Sequence, residues 1–564
     1  MGNVISIGKQ DFASLREGGY FFVDKTNFIK EWWESADDIT LIARPRRFGK
    51  TLNMSMLNCF FSEKYKKRTD LFEHLSIWED KKFRKLQGAY PVLYLSFADV
   101  KQSRYQDAAA KIKRIIATAY QQFEQIAESG VLSAVQREQF RCVNPDMDDV
   151  TAQSALQDLS YYCYLYYGKK AIILLDEYDT PMQEAYIHGY WDEFTAFIRG
   201  FFNSTFKTNT YLERAVMTGI TRVSKESIFS DLNNLTVITT TSERYADCFG
   251  FTETEVFNAL EQFGMSGQKE NVRKWYDGFT FGQWKDVYNP WSITNFLKEK
   301  QLKPYWAATS SNGLVSKMLQ TASPEIKTKM ESLISGEKII AKFDEQIVFE
   351  QLDRDEDAIW SLLLASGYLK VEEVEYRGIT MEPWYHLSIT NLETVSMFSN
   401  MFKGWFRISG SNYNGFVRSL LQGDTEAMNH YMNEVMMATC SYFDTGKETS
   451  DFLEPERFYH GFILGLIVEL REDYVIRSNR ESGFGRYDVM LIPRKISDRK
   501  NPALILEFKV RNIRTEQTLE ETVRSALKQI LEKRYDTELI DLGIEAERIR
   551  HYGFAFEGKK VLIG

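Results

Sequence analysis

Residues 39–51 read ITLIARPRRFGKT. The first five are apolar or β-branched, the pattern of a short strand buried on both faces. The loop RPRRFGKT follows, and then a helical pattern through Leu52, Met56, Leu57 and Phe60. Strand, glycine-containing loop and helix is an arrangement in which backbone amides and a helix N-terminus cradle phosphate oxygens. The usual spacing is G-x-x-x-x-G-K-[ST], met here at every position but the first, where Arg44 stands for glycine. This predicts a nucleoside triphosphate held by Arg46, Arg47, Phe48, Gly49, Lys50, Thr51 and Leu52. Lys50 would reach the β and γ phosphates, and Thr51 would ligate Mg²⁺.

Gly-Lys-Thr alone is common, so the reading needs a second element. Ile172–Asp176 (IILLD) followed by Glu177 has the form of a strand that delivers an acidic pair. Asp176 would hold Mg²⁺, and Glu177 would act as general base on the attacking water. The two motif strands are expected to be neighbours in one parallel sheet. Thr218, at the end of a later strand (Ala215–Ile220), can contact the γ phosphate, and Arg222 can stabilise developing charge. A plain strand end and a solvated arginine are equally good readings of those two. Pro91–Phe97 reads as a further strand and Asp107–Ala127 as one long helix.

The 564 residues exceed what one core usually serves. A net charge of −9 excludes a generally basic surface but not a local basic groove. Cys59, Cys142, Cys163, Cys248 and Cys440 are scattered, with no C-x-x-C pair. That argues against a disulfide framework or a cysteine zinc site and for a reducing, cytoplasmic setting. No apolar run approaches the ~18 residues a membrane span needs.

From about 245 to 440 the pattern is mostly helical. Beyond it Tyr487–Ile492 and Ala503–Val510 read as strands and Thr518–Glu532 as a helix. Asp488 lies in the first strand, and Glu507 and Lys509 share a face of the second by period-two alternation. Two carboxylates and an amine at adjacent strands can bind a divalent metal, Mg²⁺ or Mn²⁺, and orient a water for phosphodiester attack. Asp488 and Glu507 would be the metal ligands. Glu456 and His460 share a helix face upstream, and Glu456 can complete the set. A surface ion pair on a strand is the plain alternative for Glu507 and Lys509.

At these residues the chain resembles the bacterial and archaeal proteins that join an AAA-ATPase-like domain to a C-terminal PD-(D/E)XK nuclease-superfamily domain. The resemblance is carried by residues 22–26 (FVDKT), 44–51 (RPRRFGKT), 175–181 (LDEYDTP), 218–222 (TGITR), 275–279 (WYDGF) and 288–292 (YNPWS), then by Gly367-Tyr368-Leu369. It continues through Tyr459-His460-Gly461, 485–489 (GRYDV), Glu507-Phe508-Lys509 and 526–530 (ALKQI). It implies an α/β fold: a P-loop NTPase parallel sheet flanked by helices, a helical middle region and a restriction-endonuclease-like domain. The expected divisions are 1–245, 246–445 and 446–564. It implies a nuclease core of Asp488, Glu507 and Lys509 with Gln529 on the following helix. Glu456 is taken as the first acid and Glu469 as the alternative, and Asp24-Lys25-Thr26 is placed near the base or ribose. Arg44 in place of glycine is normal in such proteins. The expected function is an ATP-binding, ATP-hydrolysing protein whose nucleotide state controls a Mg-dependent nuclease acting on DNA, with homo-oligomers in view. The rivals are a nucleotide-gated binding or signalling module with a non-catalytic nuclease fold, and an ATPase with a degenerate tail.

Overall fold

The computed structural model describes residues 4–221, 229, 232–306, 313–322, 324–334, 336–343, 355, 357–407, 412–439, 463, 467, 470, 473–482, 485–496, 501–512, 515–558 and 560–564. Arg222, Glu456, His460 and Glu469 fall outside these. The chain divides into two compact units, Met1–Lys317 with Ile340–Thr394, and Met318–Ile339 with Val395–Gly564. Among the described residues no helix is long and apolar enough to cross a membrane.

The first unit is built on a parallel sheet of β1 (Ile39–Ala43), β2 (Val92–Ser96), β3 (Ala171–Asp176), β4 (Leu212–Gly219) and β5 (Leu235–Ile238), in the order β2-β3-β4-β1-β5. Every residue of β1 and β3 is buried, which is why both read as unbroken apolar runs. One face is covered by the helices Asn27–Ser35 and Lys50–Phe61, through Phe28, Trp32, Leu57, Phe60 and Phe61. The strand order corrects one expectation. β1 and β3 are not neighbours, because β4 pairs with both, Ile39↔Ala215 on one side and Ile173↔Ala215 on the other. Thr218 therefore emerges between the two motif strands. The long helix expected over Asp107–Ala127 is also two, Tyr105–Gln121 and Glu124–Glu128.

Beyond β5 the chain is mainly helical but adds short strands: β6 (Phe251–Thr252), β7 (Phe279–Phe281) and β8 (Trp284–Tyr288) in the order β6-β8-β7, and β9 (Ile339–Ala341), β10 (Leu369–Arg377) and β11 (Glu382–Ile389) in the order β10-β11-β9.

The second unit carries a mixed sheet in sequential order: β12 (Tyr474–Ser482), β13 (Gly485–Pro493), β14 (Ala503–Val510), β15 (Ile549–Glu557) and β16 (Lys560–Ile563). β13 and β14 are antiparallel, whereas β14 and β15 are parallel, joined through the helix Leu519–Lys533. Gly553 lets that helix lie close, since a β-carbon there would sit 2.9 Å from the Val523 carbonyl oxygen.

Candidate functional site

The loop after β1 starts with Arg44, and its side chain explains the missing glycine. The guanidinium is wholly buried, stacks on Phe281 at 4.2 Å and donates to the carbonyls of Thr239 and Arg244. Burial lowers its pKa to about 9. Arg44 thus ties the loop to the segment after β5. The loop then turns through Arg47 at φ +67° and Gly49 at φ +81°, and Gly49 caps the helix Lys50–Phe61. Phe48 packs its ring against Phe279 and Phe281, with centroids at 4.7 and 5.4 Å.

Lys50 is 6% exposed, and its ammonium donates to the carbonyls of Arg44 and Pro45 at 2.9 and 2.8 Å. Burial lowers its pKa, opposed by Glu177, Asp179 and Asp176. The acidic pair is therefore within electrostatic reach of the loop lysine.

Asp176 ends β3 wholly buried. Its Oδ1 accepts from the Thr218 hydroxyl, and its Oδ2 has no hydrogen-bond partner among the described residues. Burial raises its pKa, and the hydroxyls of Thr218 and Thr51 oppose the rise. A buried carboxylate with a bare oxygen, beside a loop threonine, suits a divalent cation. Thr218 also accepts from the Glu177 amide at 3.3 Å, which helps hold Glu177 at φ +50°. Thr218 thus bonds both Asp176 and the Glu177 backbone.

Tyr178 and Asp179 lie in the LDEYDTP stretch, but the sequence assigned neither a role. Buried Asp179 accepts from the amides of Ile220 and Thr221, both at 2.9 Å, and from the Thr221 hydroxyl at 2.8 Å. The Tyr178 hydroxyl donates to the Thr221 carbonyl at 2.8 Å. Gly219 leaves room for both, because a β-carbon there would lie 2.6 Å from the Tyr178 ring. The stretch LDEYDTP and residues 218–221 are therefore locked to one another.

A cavity of about 440 Å³ opens over the loop. Arg46, Arg47, Phe48, Gly49, Lys50, Thr51, Leu52 and Glu177 line it, with Lys9, Lys25 and Lys101 bringing further positive charge. Of Asp24-Lys25-Thr26 only Lys25 borders the cavity, and it is ion-paired to Glu255 at 2.7 Å. Asp24 instead binds the Ser76 amide and hydroxyl and Thr26, and Thr26 is wholly buried.

In the second unit the register Val489↔Leu506 brings Asp488 to the start of Glu507-Phe508-Lys509. Asp488 Oδ2 accepts from the Phe508 amide at 2.7 Å. Glu507 is 2% exposed. Between Glu507 and Lys509 stands the Gln529 amide: its nitrogen donates to Glu507 Oε1, and its oxygen accepts from Lys509 Nζ at 2.8 Å. A carboxylate only accepts and an ammonium only donates, so both neighbours fix the amide in one orientation. Its nitrogen also donates to the Tyr535 hydroxyl at 3.2 Å. Burial raises the Tyr535 pKa, and Glu507 and Asp488 add to the rise. Both carboxylates therefore lie near this phenol. Sequence spacing could not reveal Tyr535, because Arg534 at φ +53° ends the helix and turns the chain back. Two carboxylates on adjacent strands, one of them almost wholly buried, suit a divalent cation.

Residues 6–229 match the family described as predicted AAA-ATPase, and residues 454–564 match the PD-(D/E)XK nuclease superfamily. A relative from Azotobacter chroococcum mcd 1, described as an uncharacterized protein in the vnfD 5' region, is 26% identical over 391 residues, 69% of this chain and 68% of that protein. The strand–loop–helix site and the carboxylate–lysine centre fall within those two matches, so the chain carries an AAA-ATPase-like domain over residues 6–229 and a PD-(D/E)XK nuclease-superfamily domain over residues 454–564.

Proposed function

We propose that the protein binds and hydrolyses ATP and that its nucleotide state controls a Mg-dependent DNA nuclease. The observation that carries this reading is the convergence of Asp488, Glu507, Lys509 and Gln529 in the same chain as a loop lysine set among Asp176, Glu177 and Asp179. In the ATPase, Lys50 exchanges its two loop carbonyls for phosphate oxygens. Asp176 and Thr51 would hold Mg²⁺, which screens charge on the β and γ phosphates. Glu177 takes the proton of the attacking water. Arg46 and Arg47 add positive charge at the loop.

In the nuclease, Asp488 and Glu507 would hold the cation, which supplies Lewis-acid activation of the scissile phosphate. Lys509, aimed by Gln529, orients the attacking water. A role in defence or in mobile-element biology is compatible with this pairing. Purified protein should cleave DNA with Mg²⁺ in an ATP-dependent manner, and Glu507→Ala or Lys509→Ala should abolish cleavage. A second reading, a nuclease fold used as a binding scaffold, is favoured by the near-complete burial of Glu507. DNA binding without cleavage would support it.

A further inference from the structure

Part of the cavity wall over the phosphate-binding loop comes from outside the AAA-ATPase match. Pro290, Trp291 and Thr294 line it, from the helix Pro290–Glu299. Asn289 sets the start of this helix. It is wholly buried, and its Oδ1 accepts from the amides of Trp291 and Ser292 at 2.9 and 3.3 Å. Its amide nitrogen donates to the Arg46 carbonyl at 3.3 Å. One side chain thus caps the helix and holds it against the loop.

Held this way, the Trp291 indole lies beside Arg47. The guanidinium carbon is 3.9 Å from the ring centroid. Burial disfavours the charged form of Arg47, Glu177 supports it, and Arg46 opposes it. Arg47 therefore stacks on the indole, and it lines the same cavity as Trp291 and Glu177, the residue placed to activate water. An arginine is long and loses much rotamer freedom when fixed, so a flat aromatic face that seats it reduces what must be ordered during reaction.

We propose that Trp291 is a positioning residue of the nucleotide site. It seats the Arg47 guanidinium in the wall of the cavity over the loop, so that Arg47 supplies, from within the same chain, the positive charge that triphosphate hydrolysis requires. The inference rests on the ATPase reading. In that reaction the water oxygen bonds to the γ phosphorus, and the bond from that phosphorus to the β–γ bridging oxygen breaks. The water proton passes to Glu177, and ADP leaves with the bridging oxygen. Arg47 neither gains nor loses a proton, and it offsets negative charge on the transferring group.

The test is steady-state ATP hydrolysis by the full chain, with ATP affinity measured separately by titration calorimetry. Trp291→Leu keeps an apolar side chain without the aromatic face. It should lower kcat about tenfold, while KM shifts by less than about threefold. Trp291→Phe should restore most of the loss, a rescue that a purely space-filling role would not single out. Arg47→Ala with Trp291→Leu should be no slower than Arg47→Ala alone. Unchanged kcat in Trp291→Leu, or losses that multiply in the double variant, would overturn the inference while the ATPase reading stands. A wild-type chain that binds no ATP and turns none over removes the reading itself, and the inference with it.

Discussion

Asp176 has one carboxylate oxygen engaged by Thr218 and the other, in a fully buried setting, without a hydrogen-bond partner among the described residues. Asp176→Asn should therefore leave the fold intact and reduce Mg-dependent ATP turnover at least about a hundredfold. Thr218→Val removes the hydroxyl that orients Asp176 and Glu177, so kcat should fall about tenfold with little change in KM, measured in the same assay. A second residue-scale prediction concerns Asp277, whose pKa is pushed up to about 7 by burial and by Asp286. An unfolded aspartate titrates near pH 4, so the folded state holds this proton more tightly. The stability it contributes is full below about pH 4 and is lost as pH rises toward 7. Asp277→Asn should flatten the fall in Tm between those values. A profile unchanged by the substitution would show that Asp277 does not hold the proton.

At the scale of elements, the sheet of the second unit ends in β16, whose outer edge would invite pairing with another chain. Two asparagines on the helix Thr425–Thr439 close it. Asn429 exchanges both hydrogen bonds with the Ile563 backbone at 2.8 and 2.7 Å, and Asn433 does the same with Val561 at 2.7 and 3.0 Å. Each side chain stands in for a strand residue. Asn429→Ala or Asn433→Ala should cost about 1–3 kcal/mol in chemical unfolding and raise aggregation. An unaltered unfolding midpoint would contradict this.

Elements of this kind mark where sequence reading stops. β1, β3 and β14 were legible because strands buried on both faces read as continuous apolar runs. Glu507 and Lys509 were legible from period-two alternation. The insertion of β4 between the motif strands was not, since strand order is decided by pairing far along the chain. What Asp179 and Asn289 do was also hidden, although both lie in quoted stretches, because each acts on a backbone stretch remote in sequence. Arg44 read as a departure from a pattern, and only its buried contacts with Thr239, Arg244 and Phe281 give it a purpose.

At the scale of the whole molecule, the AAA-ATPase match ends at residue 229, yet the first compact unit runs on to Lys317 and resumes over Ile340–Thr394. That unit includes β6–β8 and the helix Pro290–Glu299, whose neighbourhood supplies Phe279, Phe281, Asn289 and Trp291 to the loop after β1. The loop is thus held both by its own sheet and by residues that sequence reading assigned to a separate middle region. Lys50→Ala should abolish ATP affinity, and under the proposed control it should also abolish any effect of ATP on DNA cleavage without touching the carboxylate centre.

Nucleotide control of the nuclease is best tested by cleavage of DNA by the purified full chain with Mg²⁺, with and without ATP, in wild type, Lys50→Ala and Glu507→Ala. We expect cleavage by wild type that responds to ATP, cleavage by Lys50→Ala that does not respond, and none by Glu507→Ala. Cleavage by Glu507→Ala at the wild-type rate, or wild-type cleavage indifferent to ATP that is nonetheless bound and hydrolysed, would contradict it.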